Sequence, residues 1–408
     1  MKPHSHIIYL INFETKISMI AKNSIKTTPK YFRSIDGLRL LASINIVLLH
    51  LEVMGGLNDL HGSPAWLFRL IKGPAFHASI FFLLGGFIFT IKFASHSQNF
   101  KPLPFLRKRF SELFPLHAIT TLMMVIIFAI RSSANGNLDP IKLIYSALLH
   151  LSLLYSFFPF FSYTLNTPSW ALSAFFLCYL LFTPALKFVA SIKSKRLLLL
   201  LSFLSFLPSL LWGLFYGALG TPKELYHFFH IFAPIRFFEF LTGMLLARFY
   251  QLSERPRSIY TALFSDLLSI ISLGAIYLLL SLHNASSPLN SFLAYHVYVL
   301  PFYFILLYVV ANEQGLISAI LGLSFIRNIG KSSFYPYLLH IPLISLITYF
   351  CETFLGYKRF LHSPLNITLF MLLLYVSSAV YVSKFRKKRK PLALPQLQET
   401  KEKELVSS

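Results

Sequence analysis

Eleven apolar runs follow one another along the chain, at about residues 36–54, 75–95, 112–131, 141–160, 170–190, 197–217, 231–250, 259–281, 293–312, 333–351 and 364–383. Short polar connectors separate them, and none shows the period-two alternation of a β-barrel strand. About 20 apolar residues is the length an α-helix needs to cross a bilayer. The pattern therefore predicts an all-α fold, a polytopic transmembrane helical bundle. Lysine and arginine cluster at 16–39, 101–109, 187–196, 248–257, 327–331 and 384–390. These six clusters fall on one side only if the stretch 141–160 does not cross, which is what positive-inside bias demands. The sequence thus predicts ten crossings, both termini in the cytoplasm, and a re-entrant or non-crossing segment at 141–160, acceptable where protein buries its backbone. Outer loops are then 55–74, 132–169, 218–230, 282–292 and 352–363. The run Leu316–Phe325, on the inner side, reads as an interfacial helix.

Composition agrees: 55% of the 408 residues are hydrophobic, with a mean hydropathy of +0.63. The formal charge of +22 is spread in short clusters between apolar runs, and no large soluble domain exists to carry a basic groove. That excludes a nucleic-acid partner and points to anionic lipid headgroups, with the lipid bilayer as the partner. Cys178 and Cys351 lie in apolar runs without metal or disulfide spacing and read as small core residues. Residues 1–32 lack a small-residue cleavage site and read as a cytoplasmic arm. Residues 384–408 form a basic, then polar, cytoplasmic tail, and 33–383 form the transmembrane domain. No internal repeat of the kind many transporters carry is visible.

Two polar residues stand out on the first span. Arg39 and His50 are eleven positions apart. At ~100° and ~1.5 Å per residue they leave one face of a helix, roughly 16 Å apart along its axis. An arginine inside a span costs about 2.5–3.5 kcal/mol and is kept beside a partner or a wet cavity. A cation near one membrane face and an imidazole deeper in, on one stripe, predict a polar pocket inside the bundle. Glu239 is an acidic residue inside a span and stands three positions after Arg236, where the two can pair. Gly-x-Ser-x-Gly, His-Glu-x-x-His, phosphate-loop and zinc-cysteine motifs are absent, and no metal site is indicated.

Six short segments recur in the order of a known family. Ile35-Asp36-Gly37-Leu38-Arg39, followed by ten residues and His50, matches an Arg-x10-His signature. Phe81-Phe82-Leu83-Leu84-Gly85-Gly86-Phe87 resembles Phe-Phe-x-x-Ser-Gly-Phe, with Gly85 at the serine. Phe105-Leu106-Arg107-Lys108-Arg109, ending at Pro115, resembles a basic helix entrance. Pro168-Ser169-Trp170-Ala171-Leu172-Ser173-Ala174 resembles Trp-Ser-Leu-Ser-x-Glu, with Phe175 at the glutamate. Arg236-Phe237-Phe238-Glu239-Phe240 through Gly243 matches Arg-x-x-Glu-Phe-x-x-Gly, and Gly330 through Tyr337-Leu338-Leu339-His340 matches a closing Gly-x-x-Ser…Tyr-Leu-x-His. Over about 33–383 the chain resembles the acyltransferase-3 family of multi-pass membrane O-acyltransferases.

The resemblance implies an acyltransferase of the inner (plasma) membrane that moves an acyl group, commonly acetyl, from cytoplasmic acyl-coenzyme A to a hydroxyl of an envelope glycan or lipid-linked sugar. No tightly bound cofactor is implied. His50 is the expected general base, since a hydroxyl is a poor nucleophile until its proton is removed. Arg39 is expected to act with it and to meet the donor's anionic groups, with Arg107 and Arg109 as further donor-binding residues. Trp170, Ser173, Arg236, Glu239, Tyr337 and His340 are the expected substrate-binding residues. Each has a plainer account. Arg39 can snorkel, Arg107 and Arg109 can serve topology, Trp170 can sit in an interfacial belt, and Arg236–Glu239 can be a structural pair or orient the acceptor or His50. Pro336 and Pro342 predict a kinked or broken tenth span. Nine other histidines, His117, His150, His230 and His296 among them, read as interfacial or loop side chains. The rival functional readings are a transporter or flippase of an envelope precursor, and a catalytically inactive relative. The sequence sets no oligomeric state.

Overall fold

The computed structural model describes residues 31–53, 78–158, 164–281, 287–357 and 360–386. The expected arm and tail, and His61, His77 and His283, lie almost wholly or wholly outside these residues. The helices are α1 (Arg33–Val53), α2 (Ala78–Phe93), α3 (Pro102–Ala134), α4 (Pro140–Leu151), α5 (Trp170–Ser191), α6 (Lys195–Leu204), α7 (Leu207–Ala218), α8 (Lys223–Ile231), α9 (Ala233–Leu252), α10 (Ile259–Ser281), α11 (Pro288–Leu293), α12 (Leu300–Ala311), α13 (Gly315–Leu321), α14 (Ser324–Gly330), α15 (Phe334–Phe354) and α16 (Pro364–Tyr381). Among the described residues ten stretches are long and apolar enough to cross a membrane, and α4 is the shorter apolar helix beside them. Ten candidate crossings and one shorter segment is the division that charge bias predicts. Leu122, Phe203, Leu211, Leu263 and Leu373 stay exposed on α3, α6, α7, α10 and α16, forming an apolar exterior suited to lipid.

Among the described residues α2 and α9 make the most extensive helix contact, and glycine permits it. A Cβ on Gly86 would stand 1.9 Å from the Phe240 carbonyl oxygen, and one on Gly243 would stand 2.0 Å from that of Leu83. Backbones touch because neither residue has a side chain, the small-residue packing that substitutes for hydrophobic driving force in lipid. α3 is longer than its apolar run. At 33 residues it extends about 50 Å and carries Arg107–Arg109 on its own first turns rather than on a loop.

The connector 313–332 differs from the expected single interfacial helix. It folds as α13 and α14, which pack against the start of α1. A Cβ on Gly37 would lie 2.2 Å from the Leu321 carbonyl, and one on Gly330 would lie 1.9 Å from that of Asp36. Because this hairpin fills the space beside the first turns of α1, α15 begins higher up. Ser43 Oγ donates to the Ser333 carbonyl at 3.2 Å and meets the Tyr375 hydroxyl at 2.8 Å. Seven residues further along each of α1 and α15 stand His50 and His340.

α15 runs continuously from Phe334 to Phe354 with Pro342 inside it, so of the expected kink or break the break is absent. Pro336 falls in the first turn, where its missing N–H removes no helical bond. Pro342 removes the donor for the Leu338 carbonyl, and the Asn166 side-chain amide supplies one at 3.0 Å. The proline is tolerated because the segment between α4 and α5 repairs it. Cys178 and Cys351 are free and buried, as expected of core residues.

Candidate functional site

α1 and α15 present a histidine pair. The ring centroids of His50 and His340 are 4.9 Å apart. His50 Nδ1 lies 2.8 Å from the Ile46 carbonyl, and His340 Nδ1 lies 3.0 Å from that of Pro336. A carbonyl can only accept, so in each ring Nδ1 carries the proton and Nε2 holds a bare lone pair. His340 is fully buried, yet its Nε2 has no hydrogen-bond partner. His50 is half-buried. In their neutral form the two imidazoles offer proton-accepting nitrogens close together. Tyr337, one turn below His340, anchors the site: its ring lies 6.3 Å from His340, and its hydroxyl donates to the Pro168 carbonyl.

Arg39 sits lower on α1. Its guanidinium lies 3.2 Å from Asp36 and its side chain is 34% exposed, so it is paired but within reach of a ligand. The other Asp36 oxygen accepts from the Tyr31 hydroxyl. Burial, and then Asp36, push the Tyr31 phenol above its usual range, while Arg327 and Arg39 oppose the shift. Lys331 stands 5.1 Å over the Tyr31 ring. Arg39, Arg327 and Lys331 therefore gather around one tyrosine and one carboxylate, with Lys331 just past the end of α14.

On α3, Arg109 is bound to Glu112 at 2.8 Å and lies over the Phe89 ring at 5.2 Å. Arg107 is exposed. The Tyr179 hydroxyl is within electrostatic reach of both Arg109 and Arg39, which brings these two cations toward one tyrosine.

Arg236 and Glu239 pair as their spacing predicts, at 2.5 Å, both about 1% exposed. The sequence reading missed the rest of this cluster. Ser79 Oγ donates to Glu239 at 3.0 Å, His296 lies 2.8 Å from Arg236, and His230 Nδ1 lies 2.8 Å from His296 Nε2. Trp170 covers the guanidinium at 5.3 Å. His296 sits in a π-helical turn, Ala294–Tyr298, which widens the helix and turns the ring inward.

Ser173 is fully buried, donating to the Leu153 carbonyl and lying 2.6 Å from Ser156. It holds the turn after α4 rather than facing the pair. The two motif departures meet in space: a Cβ on Gly85 would lie 3.0 Å from the Phe175 ring, which itself stacks on Phe82 at 4.4 Å. An apolar slab occupies both positions.

The expectation of interfacial histidines fails for four of them. His117 and His150 are fully buried, His296 is 1% exposed and His230 is half-buried against it. His150 lies on α4, outside the ten candidate crossings. Burial, with the His117 ring adding to it, pushes His150 down to about 3, so it is neutral at physiological pH. One signal was available: a Pro inside a helix, as at Pro342, orphans a carbonyl and calls for a polar neighbour.

These features define a polytopic helical membrane protein with a pair of histidines, one buried and one half-buried, above a cationic end of the bundle. The acyltransferase-3 profile, described as an acyltransferase domain, matches residues 32–383, and the chain belongs to that family. An acyltransferase of Streptomyces mycarofaciens, MdmB, is 27% identical over 229 residues, 52% of this chain and 56% of that protein. The match thus spans about half the length of that curated relative. No solved structure matches the chain.

Proposed function

We propose that the chain is a membrane O-acyltransferase that takes an acyl group from acyl-coenzyme A, acetyl in the simplest case, and delivers it to a hydroxyl of an envelope glycan or lipid-linked sugar. The observation that carries this reading is the His50–His340 pair. Both rings are tied by Nδ1 to a helix carbonyl, so Nε2 is held as a base. A buried polar nitrogen without a partner costs about 1–3 kcal/mol, a cost offset when a substrate hydroxyl donates to it.

In the proposed reaction His50 Nε2 accepts the hydroxyl proton as the oxygen attacks the thioester carbonyl. The C–O bond forms, the C–S bond breaks, and the proton passes from the imidazolium to the departing thiolate. His340 Nε2 receives a hydrogen bond from the acceptor and lies close enough to share the transient charge. Arg39, with Arg327 and Lys331, attracts the donor's phosphates, and Arg109 lies on a second approach. The curated relative being an acyltransferase supports this assignment. Both termini cytoplasmic, in the inner (plasma) membrane, puts the donor end beside these cations.

The test is transfer of radiolabelled acetyl from acetyl-coenzyme A to envelope glycans in proteoliposomes. Label in the glycan, lost in His50→Ala protein of equal expression, supports the enzyme. Glycan movement across the bilayer without label makes the chain a transporter. Neither activity makes it an inactive relative.

A further inference from the structure

A second set of open polar atoms lies around the non-crossing segment, and the proposed chemistry at His50 does not use it. On α3, His117 Nε2 lies 2.9 Å from the His150 carbonyl. The carbonyl must accept, so Nε2 carries the proton and His117 Nδ1 is a bare acceptor. That nitrogen has no partner. Thr121, one turn on along the same face of α3, has a buried hydroxyl that is also open. His150 stacks on Tyr155 at 3.9 Å and 11° and meets Thr164 through Nε2 at 3.2 Å, leaving Nδ1 open.

The segment after α4 continues the series. Asn166 donates its amide to Leu338, so its Oδ1 is the oxygen that remains, buried and without a partner. Thr164 thus touches His150 at one end, while Asn166 and Pro168 tie to α15 two and three residues before His340. The segment is strung between the two histidine pairs. Four buried atoms of this set are open along it, His117 Nδ1, Thr121 Oγ1, His150 Nδ1 and Asn166 Oδ1, and a fifth, His340 Nε2, ends the series where the proposed reaction takes place. Their residues are at most 1% exposed. Native proteins leave few such atoms, and a group of them signals an occupant.

The kind of atom selects the occupant. His117 Nδ1, Asn166 Oδ1 and His340 Nε2 can only accept hydrogen bonds in these states. No carboxylate and no cation is among the five. An anion would be repelled by bare lone pairs, and a cation would lack a countercharge. A neutral ligand bearing several O–H donors matches. We propose that the His117–Thr121 face of α3, His150 and Asn166 form a sugar-binding subsite that holds hydroxyls of the acceptor other than the one acylated at His50. This rests on the acyltransferase reading and adds to it where a glycan ring is gripped.

The test uses the full chain in nanodiscs with saturating acetyl-coenzyme A and, as acceptor probes, methyl glycosides of common hexoses and deoxyhexoses, with decanol as a single-hydroxyl control. Thr121→Val is nearly isosteric, and His150→Phe keeps the stack on Tyr155. For the best glycoside each variant is expected to raise KM about three- to tenfold, the loss of one hydrogen bond. kcat, KM for acetyl-coenzyme A and decanol acylation should stay unchanged. Thr121→Val should leave Tm equal or higher without acceptor, because it removes an unsatisfied hydroxyl. Unchanged glycoside KM in both folded variants overturns the subsite. So does a native protein that acylates decanol but no glycoside, an outcome that leaves the acyltransferase reading standing. Acylation of neither probe overturns that reading, and the subsite with it.

Discussion

Two of the histidine clusters in this bundle are built on opposite principles. In the Arg236 cluster, charges meet charges: guanidinium on carboxylate at 2.5 Å, serine on the same carboxylate, imidazole on guanidinium, and an indole over all. In the His50–His340 pair no opposite charge is adjacent among the described residues, each ring is held by its own helix, and one Nε2 is left open in the interior. The first arrangement pairs charge with charge, leaving Glu239 Oε2 as its open acceptor, and this ties together α9, α2 and the π-helical turn. The second withholds capacity for something that arrives. Histidine in a membrane span is therefore not informative alone; what its second nitrogen meets decides between scaffold and site.

The contrast is broken most directly by removing each base. His50→Ala is expected to lower acyl transfer by about 10²–10⁴-fold, the range for a positioned general base, while thermal stability in detergent holds. His296→Ala in the other cluster should act mainly on stability. If the activity losses were reversed, the assignment of site and scaffold would be reversed with them.

Next in size is the scaffold. Glu239→Gln strips the countercharge from a buried guanidinium, and such a change costs about 3–5 kcal/mol. The expected outcome is low expression and a markedly lower Tm, measured by fluorescence-detected unfolding. A double change, Arg236→Met with Glu239→Gln, should recover part of the loss because no lone charge remains. A Glu239→Gln protein of normal stability and no activity would instead make the pair part of the reaction.

Much of this difference was legible in the chain. The i, i+3 spacing of Arg236 and Glu239 announced a pair, and charge bias alone separated 141–160 from the crossing helices. His50 and Arg39 were visible because they interrupt an apolar run eleven residues apart. What escaped is what depends on contacts distant in sequence. His296 and Arg236 are 60 residues apart, and nothing in Tyr295-His296-Val297 reveals the π-helical turn that points the ring inward. The register of His50 on His340 is set by the α13–α14 hairpin, where Gly37 of α1 and Gly330 of α14 permit backbone contact that hydropathy does not encode. Phe175 facing Gly85 likewise links two departures that look independent in one dimension.

A smaller effect is expected at the inner end. Arg39 is one of several cations there, so Arg39→Gln should raise KM for acetyl-coenzyme A about tenfold or more, the worth of a charge-assisted contact, with less change in acceptor KM. The shift should shrink as salt rises, since screening weakens contacts of this exposure. A change confined to acceptor KM would move Arg39 to the other side of the reaction. Arg236→Lys, by contrast, should leave donor KM unaltered at any salt.

The smallest expected effect concerns proton uptake by the buried rings. His150 is pushed down to about 3 by burial and by His117, against an unfolded value of 6.5. The unfolded chain therefore binds a proton that the folded one refuses, and stability falls as pH drops from about 6.5 toward 3 while staying flat above. Tm of the native protein should decline by roughly a few °C between pH 7 and pH 5. His150→Phe should flatten part of that decline and leave the neutral-pH Tm nearly unchanged, because the aromatic stack on Tyr155 survives. An unaltered slope would mean that His150 exchanges its proton freely with water. The ring would then belong with exposed histidines, and the buried polar cluster beneath the non-crossing segment would lose one of its members.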